Sequence, residues 1–163
     1  MSKTTKRAAI SAALCFGVLG VAAPALAALG GTPTPPPAGA VSVSLSPIVH
    51  AAAAVTSAAS YTVTQTTLTS GTVVREYVSA AGAVFGIAWN GPRMPDLPAL
   101  LGTYFTQFDS ARAALRTAQP GRGPLDLSLP GLEVRSGGHM GAFSGQAYLP
   151  QSLPAGVSAA DIQ

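Results

Sequence analysis

From Tyr61 onward the chain alternates. Tyr61, Val63, Gln65 and Thr67 are interleaved with Thr62, Thr64, Thr66 and Leu68, a period of two, rich in β-branched residues, that predicts a half-buried strand. Ser70-Gly71 supplies a tight turn, Thr72 to Ser79 returns as a second strand, and Ala80-Ala81-Gly82 turns again. Ala83 to Asn90 makes a third strand, with Phe85, Ile87 and Trp89 expected on one face and Val84, Gly86 and Ala88 on the other. Three strands joined by short turns form an antiparallel meander.

Asn90-Gly91-Pro92 ends the meander, and the period changes. Asp96 reads as an N-cap, with Pro98 in the first turn. Leu97, Leu100, Leu101, Tyr104, Phe105, Phe108, Ala111 and Leu115 then recur at helical spacing within an arc of about 140°. Thr103, Thr106, Ser110 and Ala113 occupy the opposite side. The spacing predicts an amphipathic helix of about 20 residues, about 30 Å long, covering the apolar face of the meander. Its polar side lacks the Lys and Arg array of a membrane-surface helix. After a Gly/Pro loop at 119–124, Leu125, Leu127 and Leu129 predict another strand, broken at Pro130-Gly131. Leu132 to Ser136 and Gly141 to Leu149 are expected to pair across Gly137-Gly138, and 150–163 reads as a tail with little pattern. The fold class expected is α+β: an antiparallel β-meander with one long amphipathic helix packed on it, then a C-terminal hairpin.

The first 60 residues are of another texture. Lys3, Lys6 and Arg7 precede an apolar run from Ala8 to Ala23, followed by Pro24 and Ala25-Leu26-Ala27. A charged start, an apolar core and a small-x-small exit are what secretion and signal peptidase require, so cleavage is expected between Ala27 and Ala28. The apolar run is shorter than the roughly 20 residues that span a bilayer, and no integral membrane segment is expected after cleavage. Cys15, the one cysteine, follows Leu14 where lipidation needs a small residue. Residues 28–60 read as an Ala/Pro-rich flexible leader. Thr32 to Pro37 favours a polyproline spacer, Val41 to Leu45 alternates with Ser as a candidate edge strand, and Ala51 to Val55 as a helical turn. The expected organisation is a signal peptide at 1–27, the leader at 28–60 and a single domain at 61–163.

Charge narrows the chemistry. Of nine basic residues, Lys3, Lys6 and Arg7 leave with the signal, and six Arg then balance six acids. A neutral domain offers no basic footprint for nucleic acid. Without Cys or Lys after residue 27, the processed chain has no disulfide, thiol nucleophile, Schiff-base lysine or Walker lysine. His139 is the only histidine outside the leader, which holds His50, so the ligand spacing of a metal site is lacking and no metal or cofactor is expected. Gly141-Ala142-Phe143-Ser144-Gly145 lacks the first glycine of a nucleophile elbow.

The candidate binding residues are Arg75, Glu76, Trp89, Arg93 and His139. Arg75 and Glu76 point to opposite faces of a strand, so one meets the covered side and needs a partner there, in an ion pair or a ligand contact. Trp89 opens the segment running through Arg93 to Met94, and reads either as a core residue or as a binding anchor. His139 sits in Ser136-Gly137-Gly138-His139-Met140-Gly141, a turn whose glycines leave backbone donors accessible.

Several strings carry a resemblance as a set. They are Ala28-Leu29-Gly30-Gly31, Ser70-Gly71-Thr72-Val73-Val74-Arg75-Glu76-Tyr77, Val84-Phe85-Gly86-Ile87-Ala88-Trp89 and Pro95-Asp96-Leu97. Leu100-Leu101-Gly102-Thr103-Tyr104-Phe105, Ser136-Gly137-Gly138-His139-Met140 and Gly145-Gln146-Ala147-Tyr148-Leu149-Pro150 complete it. Together, from about Tyr61 to the C-terminus, they resemble an uncharacterised family of small exported proteobacterial proteins, a domain of unknown function. The resemblance implies a Gram-negative periplasmic or secreted setting, and transfers no activity or catalytic residue. The functional expectation is a non-catalytic envelope module that binds another envelope protein or component. A structural or assembly subunit is the alternative, then a small hydrolase using His139 with Ser144 or a carboxylate.

Overall fold

Six consecutive residues, from Val84 to Trp89, are buried in the strand Val84–Gly91. Because side chains alternate along a strand, such a run demands cover on both faces of the sheet. The computed structural model describes residues 29–45, 61–121 and 123–163. The signal segment with its Ala27–Ala28 cleavage point, Cys15, His50 and the turn expected at Ala51 to Val55 lie outside the described residues.

Seven strands form one antiparallel sheet: β1 (Val41–Leu45), β2 (Tyr61–Thr67), β3 (Val73–Ser79), β4 (Val84–Gly91), β5 (Leu125–Leu129), β6 (Leu132–His139) and β7 (Ala142–Tyr148). Their order is β1-β2-β3-β4-β7-β6-β5. The meander β2-β3-β4 has the expected turns, and β7 pairs with β4 to bring the C-terminal strands into the same sheet. Between β4 and β5 runs a helical stretch of 22 residues: α1 (Leu97–Leu101), a 3-10 turn at Gly102–Tyr104 and α2 (Phe105–Ala118). Asp96 caps α1, its carboxylate accepting from the Ala99 amide at 3.3 Å. The class is α+β.

The helix covers one face. All eight residues of its apolar stripe are in the helix-side core or packed against it, together with Val74, Val78, Ile87, Trp89, Leu132 and Val134. Thr103, Thr106, Ser110 and Ala113 are exposed. The opposite face carries a second core of Tyr61, Val63, Tyr77, Phe85, Ala88, Tyr148 and Ile162. Its cover is the tail, residues 150–163, which the sequence left without pattern. Ile162 is fully buried there. It sits over Gly86, where a Cβ would come within 2.7 Å of its Cδ1.

A bulge corrects the facing expected for β4. The β3–β4 register shifts between Tyr77 and Val78, opposite Gly86 and Val84 respectively, so Phe85 is the extra residue. Val84 therefore joins Ile87 and Trp89 in the helix-side core, while Phe85 joins Ala88 on the tail side. The final hairpin also turns later than expected. Gly137 and Gly138 are paired within β6, His139 pairs with Ala142, and Met140-Gly141 makes the turn with Gly141 at φ 85°.

Residues 29–45 are packed on the unit that starts at Tyr61 and are not a free spacer. Leu29 is 2% exposed, its amide donates to the Leu100 carbonyl at 2.9 Å, and the Gly30 amide donates to Val84 at 2.8 Å. Val41 to Leu45 is the edge strand the alternation suggested, paired with β2. Leu29 explains the docking: an apolar side chain beside two glycines lets the backbone enter the core, where burial contributes about 1.5–3 kcal/mol.

Ile162→Ala is expected to destabilise the protein by about 2–5 kcal/mol, read from the urea-unfolding midpoint. Unchanged stability would show that the tail does not close the second core.

Candidate functional site

Register assembles a polar row on the tail side of the sheet. Gln65 is opposite Arg75, Arg75 opposite Ala88, Ala88 opposite Gln146, Gln146 opposite Arg135 and Arg135 opposite Asp126. The next row of the same face runs Val73, Asn90, Ser144 and Gly137. Apart from Ala88, which the tail-side core buries, these two rows lie beyond the part of the face that the tail covers. All their members but Gln65 and Ala88 border a recess of about 660 Å³, with Gln163 also on its lining.

Arg75 is held firmly in the recess. Its Nε donates to Gln65 Oε1 at 3.0 Å and its Nη1 to the main-chain oxygen of Gln163 at 2.9 Å. The same oxygen accepts from the Tyr77 hydroxyl at 2.8 Å, so Gln163 is tied to β3 through two donors. Burial raises the Tyr77 pKa, against the lowering effects of the Gln163 hydrogen bond and Arg75. Arg135 Nε lies 3.3 Å from Asp126 Oδ2, both side chains more than half exposed, a weak pair that solvent screens.

Glu76 faces the other way and is 2% exposed. Its partner is not a cation. The Thr34 amide donates to Oε1 at 3.1 Å and to Oε2 at 3.2 Å, and the Thr34 hydroxyl also donates to Oε1. Thr34 to Pro37 thereby closes over a second, apolar cavity of about 170 Å³, lined also by Leu68, Val74 and Leu100. Burial raises the Glu76 pKa, and the Thr34 hydrogen bonds offset part of that.

The other expected residues fall apart from this pair. Trp89 belongs to the helix-side core and also borders the recess; its indole N–H is buried with no hydrogen-bond partner among the described residues. Arg93 has an exposed side chain, and its backbone brackets the Thr72 hydroxyl, which donates to the Arg93 carbonyl at 2.7 Å. His139 is exposed at the end of β6, its Nδ1 3.1 Å from the Met140 carbonyl. Ser144 lies opposite Gly137, two residues before His139. The loop after β4 and the β6–β7 turn do share one end of the sheet, since Phe143 pairs with both Gly91 and Gly138. Among the described residues no three His, Cys, Asp or Glu side chains group to hold a metal ion, and no helix is long and apolar enough to cross a membrane.

Sequence reasoning missed Asn90, Asp126, Arg135 and Gln146 as site residues, and weighed Ser144 only as a nucleophile beside His139. The available signal was polar spacing: Arg135 and Gly137 on one strand, Ser144 and Gln146 on the next. Only the correct turn at Met140-Gly141 sets them opposite one another.

Glu76 makes stability pH-dependent. Its folded-state pKa is raised above 4.5, so its contribution is fully present below that value and is lost as pH rises through the folded-state pKa. Between about pH 4 and pH 8 the wild type should lose stability relative to Glu76→Gln, measured by urea unfolding. Parallel curves for the two proteins would refute it.

A family model described as protein of unknown function (DUF2844) matches residues 25–162, reaching back across the leader from the Tyr61 start of the resemblance noted above. Comparison with curated proteins and with solved structures finds no match.

Proposed function

The chain belongs to the DUF2844 family, and from its recess we propose that it is a non-catalytic binding module that receives a small polar ligand on the open half of the tail face. One observation carries the reading: a recess of about 660 Å³ bordered by Arg75, Asn90, Arg135, Ser144 and Gln146. Small-molecule clefts span roughly 300–1,000 Å³. Asn, Gln and Ser side chains offer donors and acceptors together, while Arg offers donors alone. The β-sheet beneath keeps these groups in fixed register, which lowers the ordering cost of binding.

The proposal includes export by the general secretory route to the periplasm or beyond. It is supported by Lys3, Lys6 and Arg7 ahead of the apolar run, and by the Ala25-Leu26-Ala27 exit. It is also supported by Leu29, buried two residues beyond the cleavage point.

Native mass spectrometry of the protein released from its own cells tests both parts. The expected spectrum starts at Ala28 and carries a non-covalent adduct that disappears in Ser144→Trp, where an indole fills the recess. A bare mass, or an adduct indifferent to Ser144→Trp, would count against the binding reading; an intact residue 1–27 segment would count against export.

A second reading, an assembly subunit, has its own observation. The edge strand β1 presents Val41, Val43 and Leu45 at 66%, 51% and 40% exposure, with no charge to deter another strand from pairing. If β1 mediates assembly, the native spectrum shows an oligomer that Val43→Lys converts to monomer. A monomer at all concentrations would reject it.

A further inference from the structure

We propose that the apolar cavity of about 170 Å³ beneath residues 34–37 is a second binding site, which takes a small apolar amine with its ammonium group against Glu76. The cavity belongs to the helix side of the sheet, where Leu68, Val74 and Leu100 pack, and is independent of the recess on the tail side. An apolar void of about 150 Å³ accommodates a benzene-sized molecule, so this one holds a single ring or a short alkyl chain.

The wall decides what the polar end of such a molecule must be. Pro35, Pro36, Pro37 and Pro95 line it and have no backbone N–H to give. Donors beside them are already engaged. The Thr34 amide and hydroxyl go to Glu76, and the Ala99 amide goes to Asp96 Oδ1 at 3.3 Å. The Leu100 amide donates to the Asp96 carbonyl at 3.0 Å, and the Thr66 hydroxyl is paired with that of Ser42 at 2.6 Å. The wall thus offers an incoming molecule acceptors rather than donors.

Glu76 is the acceptor at the cavity wall, and it is 2% exposed. A carboxylate accepts at about four sites. Oε1 receives the Thr34 hydroxyl and amide, whereas Oε2 receives only its share of that amide, at 3.2 Å. Oε2 therefore keeps acceptor capacity among the described residues. The charged side chains of the lining are Glu76 and Asp96, with no Arg, Lys or His among the described residues there. Burial raises the Glu76 pKa. An ammonium brings the opposite charge that favours the carboxylate form, and a charge-assisted hydrogen bond with it. A neutral molecule of the same size gains only the apolar contact, and an anion is repelled.

The test is an amide-resolved NMR titration of the whole chain with three probes of similar size: benzylamine, benzyl alcohol and benzoate. Saturable shifts at Thr34, Glu76, Ala99 and Leu100 are expected with benzylamine, binding about tenfold or more tighter than benzyl alcohol, and none with benzoate. Glu76→Gln, which keeps the length of the side chain and removes its charge, should bring benzylamine down to the affinity of benzyl alcohol. Ala99→Leu, which fills part of the cavity and leaves Glu76 in place, should weaken both, and keeps the test readable if Glu76→Gln releases residues 34–37. Benzoate binding as tightly as benzylamine, or benzylamine indifferent to Glu76→Gln, would overturn selection for amines. No shifts with any probe, or shifts that Ala99→Leu leaves unchanged, would overturn the cavity as a site. None of these outcomes bears on the recess, whose Ser144→Trp adduct is read separately.

Discussion

Burial of β4 on both faces is the constraint from which the rest of the architecture follows. A strand with six consecutive buried residues cannot be satisfied by one covering layer. The helical stretch closes one side and the tail closes the other. The bulge at Phe85 decides which residue goes where, passing Val84 to the helix and Phe85 to the tail. Gly86 then provides the flat seat on which Ile162 rests. The recess is what remains of the tail-side face after this cover ends.

Polar interactions have a smaller share in holding the fold. The ion pairs of the described residues are surface contacts, worth about 0–1 kcal/mol each. The exception in kind is Glu76, a buried acid with no counter-ion among the described residues, hydrogen-bonded by Thr34 of the segment preceding β1. Apolar burial must therefore supply most of the stabilisation. Two separate cores share β4 as their common wall, so loss of packing on one side is felt across the sheet.

What the sequence made legible was local. The helix stripe from Leu97 to Leu115, the Asp96 cap and the turns at Gly71, Gly82 and Pro130-Gly131 depend on neighbours a few residues away, and periodicity reads such features well. The expectation failed where distant partners decide. A bulge at Phe85 answers to the geometry of β3, and Thr34 is engaged by an acid in mid-sheet. The tail's sparse apolar residues fill gaps rather than repeat. Glycines misled in the hairpin because Gly137-Gly138 looks like a turn, whereas both residues are paired with β7. Of the candidate site, Arg75 was legible as a strand residue needing a partner. The row that gives it a setting depends on four strand registers, and a single strand's pattern carries no trace of them.

Leu29 and Ile162, nearly the whole chain apart, are both core residues, and this orders events in time. Neither residue can be secured until the other parts of the sheet exist, and the tail-side core stays open until Ile162 arrives. A chain still emerging from a ribosome, or threading through any pore, holds its helix and hairpins without the contacts that lock them. Closure of the second core thus waits on Ile162, whatever has folded before it.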